Sequence, residues 1–420
     1  MRLNKLQFGL IIVITFFVGI IVGSYKVKLD WMHYVPQLQV ISKEPPSGLT
    51  SVDMTPFWDV WEKVQQMYYD KSVVDPKKML NGAISGMVSS LGDPYTMYLP
   101  PAQQTNFQQQ MAGKFEGIGA ELATKDKSII VVAPLDGSPA QRAGIKAGDT
   151  IVQVNNESIA GWTLPQAVDK IRGPKGTTVT LGVMHKGAQN VTQIPIVRDT
   201  ITVKSVSGWV KPIKDIEGID TAKFSNTSSE IMYIRLSQFG DATNQDWVAL
   251  VDKLSQQAKK DGNVKGMVFD LRNNPGGYLT DATFIAGEFL PVGTSVVTED
   301  DGHGDTQTLS VTRKGELQDI PLVVLINGGS ASASEIVSGA LRDHHRALLI
   351  GEKSFGKGTV QQAVDLGGGA GLHVTVAKWL TPNGNWIHGK GLIPDVTVAL
   401  DAKDASHDTQ LEAAISQLLK

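Results

Sequence analysis

The chain has no cysteine among its 420 residues, so disulfide frameworks, thiolate nucleophiles and cysteine-ligated metals are excluded together. That absence suits a bacterial envelope protein and a cytosolic one equally. Positive charge is not in excess: 39 Lys and Arg stand against 42 Asp and Glu, a net charge of −3, so no nucleic-acid partner is expected. Histidine is sparse, with eight scattered residues. His344-His345 after Asp343 reads as a helix end, and His373 and His388 lie in strand or loop context without a ligand constellation, so no metal or cofactor is expected. There is no Gly-x-Ser-x-Gly elbow. A complete phosphate loop is missing too: Gly351-x4-Gly356-Lys357 needs Ser or Thr directly after the lysine, and that place is Gly358. Lys357 therefore needs another job.

Hydrophobic content of 41% and charged content of 19% are those of folded protein, and the length allows two or three domains. At the N-terminus, Arg2 and Lys5 precede an uncharged, nearly all-apolar run from Phe8 to Ser24, followed by Lys26 and Lys28. The run has the length of a membrane span. A signal peptide cleaved near Val22-Gly23-Ser24 is the rival, but the run exceeds the roughly 7–15 apolar residues of a signal core, which favours an uncleaved single-pass anchor over residues 1–28. Either reading sends the rest of the chain to the extracytoplasmic side, anchored or secreted, where ATP is scarce.

Residues 29–50 contain "SKEPPSG" and no sustained periodicity, which predicts a linker. Phe57, Trp61, Val64 and Tyr68, then Leu80, Ile84, Met87, Val88 and Leu91, recur at helical spacing. They predict a small helical segment over 51–103 that ends around "GDPYT" and Pro100. From 104 to 200 the texture becomes short β-like runs with one helix: "GIGAEL", "IIVVAP", "GSPAQRAGIKAGDTIVQVNNESI", "LPQAVDKI" and "TTVTLGVM". The order of these parts resembles a PDZ domain. Such domains bind extended chain termini along a sheet edge and hold the terminal carboxylate on backbone N–H groups of a glycine-bearing loop. Here that loop is Gly117-Ile118-Gly119-Ala120, and Leu164, Ala167, Val168 and Ile171 are expected to form the other wall. Arg172, just before "GPKG", is a peptide-binding candidate and a candidate polar contact in a switch by which the PDZ-like domain would gate the catalytic site, blocking it or completing it when a terminus binds.

Residues 201–400 alternate short apolar strands with helices, which predicts an α/β core, and 401–420 predicts a C-terminal helix. After "PLVVLIN" the chain turns on Gly328-Gly329 and enters a helix through Ser330-Ala331-Ser332-Ala333-Ser334-Glu335. A serine placed there stands beside free N–H groups and the positive end of the helix dipole, which can stabilise an oxyanion. Ser332-x-x-Glu335 is equally a capping box, and the local sequence does not separate a cap from a nucleophile. A partner base must, and lysine can serve as one.

"DLRNNPGG", "GGSASASEI", "GEKSFGKGTVQ" and "TPNGNWIHGKGLIPD", with "GDPYTMYL" and the PDZ-like block ahead of them, resemble the carboxyl-terminal processing peptidases, or tail-specific proteases. The resemblance covers roughly residues 52–400. It implies Ser332 as nucleophile, Lys357 as base, Gln361 orienting the lysine, and no cofactor. Ala333 N–H is the natural oxyanion donor, and the resemblance implies a second from Gly276 or Gly277 in the Pro275-Gly276-Gly277 loop. The expected fold is an α/β peptidase core with an inserted β-rich PDZ domain, a small N-terminal helical segment and an N-terminal membrane anchor. The expected activity is endoproteolysis near the C-termini of envelope or secreted proteins, caught through accessible, apolar terminal residues. A lysine with pKa near 10.4 is about 99.9% protonated at pH 7, so Lys357 must be desolvated by roughly 2–3 pKa units to act as base. Lys353 is the competing candidate. A membrane-anchored PDZ adaptor with an inactive core is the alternative reading. The amphipathic segments at 57–91 and "DTQLEAAISQLL" are candidate homodimer contacts, and an activating adaptor protein is left open.

Overall fold

A computed structural model describes residues 52–420 except 126, 127, 136, 147, 186, 189, 203, 402, 403 and 405, together with Thr15, 27–32 and 35–40. The expected anchor over 1–28 lies outside the described residues except Thr15, Val27 and Lys28; among the described residues no helix is long and apolar enough to cross a membrane. The chain divides into two compact units, up to Leu80 and from Asn81 onward.

In the first unit, strands β1 (Val27–Met32) and β2 (Val35–Val40) pair antiparallel, with Val27 opposite Val40 and Met32 opposite Val35. Over 29–32 and 35–40 these strands replace the linker expected across 29–50; the rest of that range lies outside the described residues. Val27, Leu29 and Trp31 alternate with polar residues, a two-residue period too brief to stand out beside the prolines that follow. Helix α1 (Thr55–Met67) carries Phe57, Trp61 and Val64 at the expected spacing, yet none of its residues is buried. Helix α2 (Pro76–Ser89) runs across the boundary into the second unit.

The "GDPYT" turn follows, with Gly92 at φ +71°. The two helices end before this turn, and strand β3 (Met97–Leu99), within the range 51–103 given to the helical segment, joins a sheet of the core. Helix α3 (Pro101–Met111) leads into the PDZ-like fold. Its elements are β4 (Lys114–Gly117), β5 (Ala120–Lys125), β6 (Ser128–Pro134), α4 (Pro139–Arg142), β7 (Thr150–Val154), β8 (Glu157–Ser158), α5 (Leu164–Ile171), β9 (Thr178–Met184) and β10 (Thr192–Val197). The sheet order is β10-β9-β7-β6-β5, with β8 on β7. Alternation in β9 sends Val179, Leu181 and Val183 into a core shared with Val131, Ala140 and Ala167. Strand β11 (Asp199–Thr202) pairs back on β4, Asp199 opposite Gly117, so the chain leaves beside the glycine loop.

The remaining elements are β12 (Val206–Pro212), β13 (Glu230–Leu236), α6 (Thr243–Asp261), β14 (Val264–Asp270), α7 (Leu279–Ala286), β15 (Ser295–Asp300), β16 (Thr306–Ser310), β17 (Leu322–Ile326), α8 (Ala333–Asp343), β18 (Leu348–Gly351), β19 (Thr359–Gly367), β20 (Ala370–Leu380), β21 (Val396–Thr397) and α9 (Thr409–Leu418). One sheet runs β12-β13-β14-β17-β18-β21 and is parallel from β13 onward. Both faces are covered, as a parallel sheet requires. Met267 and Phe269 of β14, with Leu322, Val324 and Ile326 of β17, pack on Trp247, Ile285 and Val337 of α6, α7 and α8. Val268, Val323 and Leu325 point the other way, onto Leu411, Ala414 and Ile415 of α9. A second, antiparallel sheet runs β16-β15-β20-β19, with β3 on β20.

Candidate active site

Three neighbouring parallel strands deliver the site at their carboxyl ends, where α/β sheets open their crevices. Strand β14 feeds the loop with Gly276 and Gly277, β17 the turn with Ser332, and β18 the loop with Lys357. A cavity of about 450 Å³ is lined by Gly276, Gly277, Ser332, Lys357 and Gln361 together, with Tyr95 and His373 among the other walls.

Ser332 is the N-cap residue of α8, but with φ 54° and ψ −117°. An ordinary N-cap has extended backbone, and a non-glycine residue at positive φ is strained. A sharp strand-to-helix turn of this kind is the nucleophile elbow, reached here without flanking glycines. The outer serines are committed elsewhere. Ser330 Oγ donates to the Leu271 carbonyl at 2.8 Å, and Ser334 Oγ to the carbonyls of Asn274 and Ala331 at 2.9 and 2.8 Å. They stitch the turn to the loop after β14 and leave the middle serine facing the cavity.

Gly276 has φ +94°, and a Cβ there would come within 2.6–2.9 Å of Ala331 O, Ser332 Cβ and Ala333 N. Only glycine lets this loop lie against the turn. Its N–H, however, donates to Asn274 Oδ1 at 2.8 Å, so Gly276 is corrected as an oxyanion donor. Gly277 N–H remains the candidate beside Ala333 N–H, which as the first helical N–H lacks an intrahelical acceptor. Asn274, fully buried, also donates from Nδ2 to Leu236 O at 2.8 Å. Within "RNNPGG" nothing local marks this asparagine as the hub.

Lys357 is half-buried, while Lys353 is exposed and stands outside the cavity lining. Burial pushes the Lys357 ammonium below the ordinary lysine range, with the charges of Asp93 and Glu335 pulling partly back. The loop leads into strand β19, not a helix, so a phosphate loop is excluded by geometry as well as by Gly358. At Gly358 a Cβ would sit 2.9 Å from His388 N and Trp386 Nε1. Trp379 and Trp386 donate their indole N–H groups to the carbonyls of Lys357 and Gly358, both at 2.9 Å. Gln361 spends its amide donors on Thr359 and Thr375 hydroxyls, both at 3.0 Å, so its carbonyl oxygen is what it can offer the lysine.

Glu335 ties the two loops together. It is buried and accepts from Ser332 N and Lys357 N at 2.9 Å, Gly356 N at 2.7 Å and Ser354 Oγ at 2.6 Å. Its sequence signal was the capping box, which shows one of these four bonds. Asp270, an acidic strand end of nucleotide-site type, is buried and instead accepts from Tyr233 at 2.6 Å and Arg272 at 2.7 Å, a structural network.

The PDZ-like fold has its own groove, about 380 Å³, lined by Gly117, Ile118, Gly119 and Ala120 with Val168, Ile171 and Arg172 opposite. Gly119 has φ +72° and no room for a side chain against Ser138. Leu164 and Ala167 are corrected: they pack in the domain core, and Leu122, Leu135 and Ile201 take their place in the groove. An eight-residue helix puts 164, 167, 168 and 171 on one side, but only its outer edge reaches the groove.

Three family models match: peptidase family S41 over 230–398, PDZ domain over 107–184, and the activating protease CtpB N-terminal domain over 21–102. The chain is 39% identical to a carboxy-terminal-processing protease of Bartonella bacilliformis over 343 residues, covering 81% of this chain and 74% of that one. It is 37% identical to the carboxy-terminal processing protease CtpA of Bacillus subtilis over 340 residues, 81% and 68% of the two chains. A solved structure from Bacteroides fragilis assigned as an S41 protease has the same fold, with TM-score 0.55 and 16% identity over 93% of this chain and 99% of that one.

Proposed function

The chain belongs to the carboxy-terminal processing proteases of peptidase family S41, and from that premise we propose that it is a serine endopeptidase working through Ser332 and Lys357. The observation that carries the assignment is the strained Ser332 backbone at a helix start, in one cavity with a half-buried lysine. Neutral Lys357 takes the Ser332 proton as the hydroxyl oxygen attacks a substrate carbonyl. The oxyanion is met by Ala333 N–H and Gly277 N–H at the positive end of α8. Protonated Lys357, held by the Gln361 carbonyl oxygen, gives the proton to the leaving amine, and water then opens the acyl-enzyme.

The apolar groove beside Gly117–Ala120 suits an apolar substrate C-terminus, with Arg172 at the mouth for the carboxylate end. Envelope or secreted proteins are the substrate class that the N-terminal run implies. The exposed apolar surface of α1, including Trp58 and Met67, suits a second copy of the chain as partner, which sedimentation of a Trp58→Glu variant would test as loss of a dimer.

The primary test is cleavage of an unstructured protein by the chain, with products read by mass spectrometry. Ser332→Ala and Lys357→Ala are expected to lose at least 10³-fold in kcat/KM, about the scale of losing a nucleophile or base. Full activity in either variant sinks the dyad. An inactive parent that still bound apolar C-terminal peptides would support the adaptor reading.

A further inference from the structure

We propose that Tyr95 is a positioning residue for Lys357, its ring face forming the seat on which the ammonium rests after the lysine takes a proton. The proposal rests on the reading of Lys357 as base. Lys357 Nζ lies 5.0 Å from the centre of the Tyr95 ring, and both residues line the cavity of Ser332. The ring is not a loose neighbour. Tyr95 N–H donates to Asp93 Oδ1 at 3.0 Å, and the Thr96 hydroxyl bridges Asp93 Oδ2 and Thr375 N–H at 2.7 and 3.0 Å. This fixes the "GDPYT" turn to β20, beside the hydroxyl of Thr375 that holds Gln361. Edge-on, the ring meets His388 at 6.1 Å; His388 stacks on Trp386 at 5.3 Å, and Trp386 holds the Gly358 carbonyl. One aromatic frame thus fixes both the backbone of Gly358 directly after the lysine and the surface under the lysine side chain.

The physics gives the ring a task that burial alone cannot perform. Burial disfavours the ammonium and makes the lysine a base. The same burial would drive the newly protonated amine out of the pocket before it could serve as acid. A π face attracts the cation without offering a competing proton acceptor. The other charged or titratable groups acting on Lys357 are Asp93 on the turn, Glu335 on α8 and His373 on β20.

The test uses the full chain with Tyr95→Phe, which keeps the face, and Tyr95→Leu, which keeps apolar cover but has no face. Two readouts are taken: the acid limb of kcat/KM against pH, and the pH dependence of Lys357 acylation by an amine reagent in a Ser332→Ala background. Removing the face removes support for the charged form, so Tyr95→Leu is expected to move both to lower pH by about 0.5–1.5 units. Tyr95→Phe should superimpose on the parent. A Tyr95→Leu profile that stays in place, or a Tyr95→Phe profile displaced as far as Tyr95→Leu, overturns the proposal. Thermal melts check folding, and Tyr95→Met supplies a second variant without a ring should leucine not fold. The labelling arm needs no activity, so the base reading can fail through an active Lys357→Ala while the Tyr95 contact is still decided.

Discussion

At the scale of single residues, the strain at Ser332 has a measurable cost. Its φ of 54° with ψ −117° suits glycine and strains any side chain. Ser332→Gly and Ser332→Ala are both expected to be inactive, but the glycine variant should be the more stable by about 1 kcal/mol in urea unfolding. Equal stabilities would mean that the turn is relaxed and the residue an ordinary cap. Gly276→Ala is expected to act in the opposite sense, because its Cβ would collide with Ser332 Cβ at 2.8 Å. Its kcat should fall at least 100-fold while peptide capture by the PDZ groove is unaffected, a loss on the scale of one oxyanion donor. Motif order proposes the Ser332–Lys357 pair in the sequence, and the structure places both side chains on one cavity. Gly276 was misjudged because a glycine needed for close approach and one needed for its N–H look the same in a sequence. Tyr95 and Asn274 carried no signal of their own: one acts through a ring face and the other through bonds to residues 38 and 60 positions away.

At the scale of elements, helix α9 closes one face of the parallel sheet and is tied down by charge. Burial pushes the Glu412 carboxyl up, but hydrogen bonds from His407, Lys223 and the Asp220 N–H outweigh it and bring it down to about 2. A carboxylate depressed on folding stabilises the protein above its unfolded pKa near 4.3 and loses that contribution as pH falls towards 2. Glu412→Gln should cost about 1–2 kcal/mol at pH 5.5, after allowing for the exposed lysine partner, and the gap should shrink below about pH 4 and close only at about pH 2. A gap independent of pH would show that only packing was lost. The C-terminal helix was legible from its periodicity, and so was the sheet, from apolar runs such as "PLVVLIN". Strand β3 was not: three residues between a turn and a proline give no period to read, and their pairing partner is Gly371–His373. The groove wall of α5 was half legible, since spacing identifies the apolar side of a helix but not which of its residues faces the neighbouring strand.

At the scale of the whole molecule, the groove and the catalytic cavity are linked through α3. Phe115, Glu116 and Arg172 line both the groove and a polar cleft beside it, and Gln110 of α3 lines both that cleft and the catalytic cavity. The end of α3 is locked to the catalytic half through backbone, with Asp241 N–H on Met111 O at 3.0 Å and Gly240 too close to that carbonyl for any side chain. Motif order announced both domains, but not this junction, which is made of peptide groups that every sequence has. In the proposed function a tail caught in the groove is tethered on the body that carries Ser332, and tethering acts on capture rather than on chemistry. Val168→Asp, which places a charge in the apolar groove, should raise KM for substrates with apolar C-termini by about 10–100-fold and leave kcat unchanged. Cleavage of short unstructured peptides should be untouched. If kcat fell for both substrates, the groove would instead be controlling the geometry of the site, and the route for that control would be the Met111–Gly240 contact, because residue 239 holds the Gly276–Tyr278 loop by two backbone hydrogen bonds.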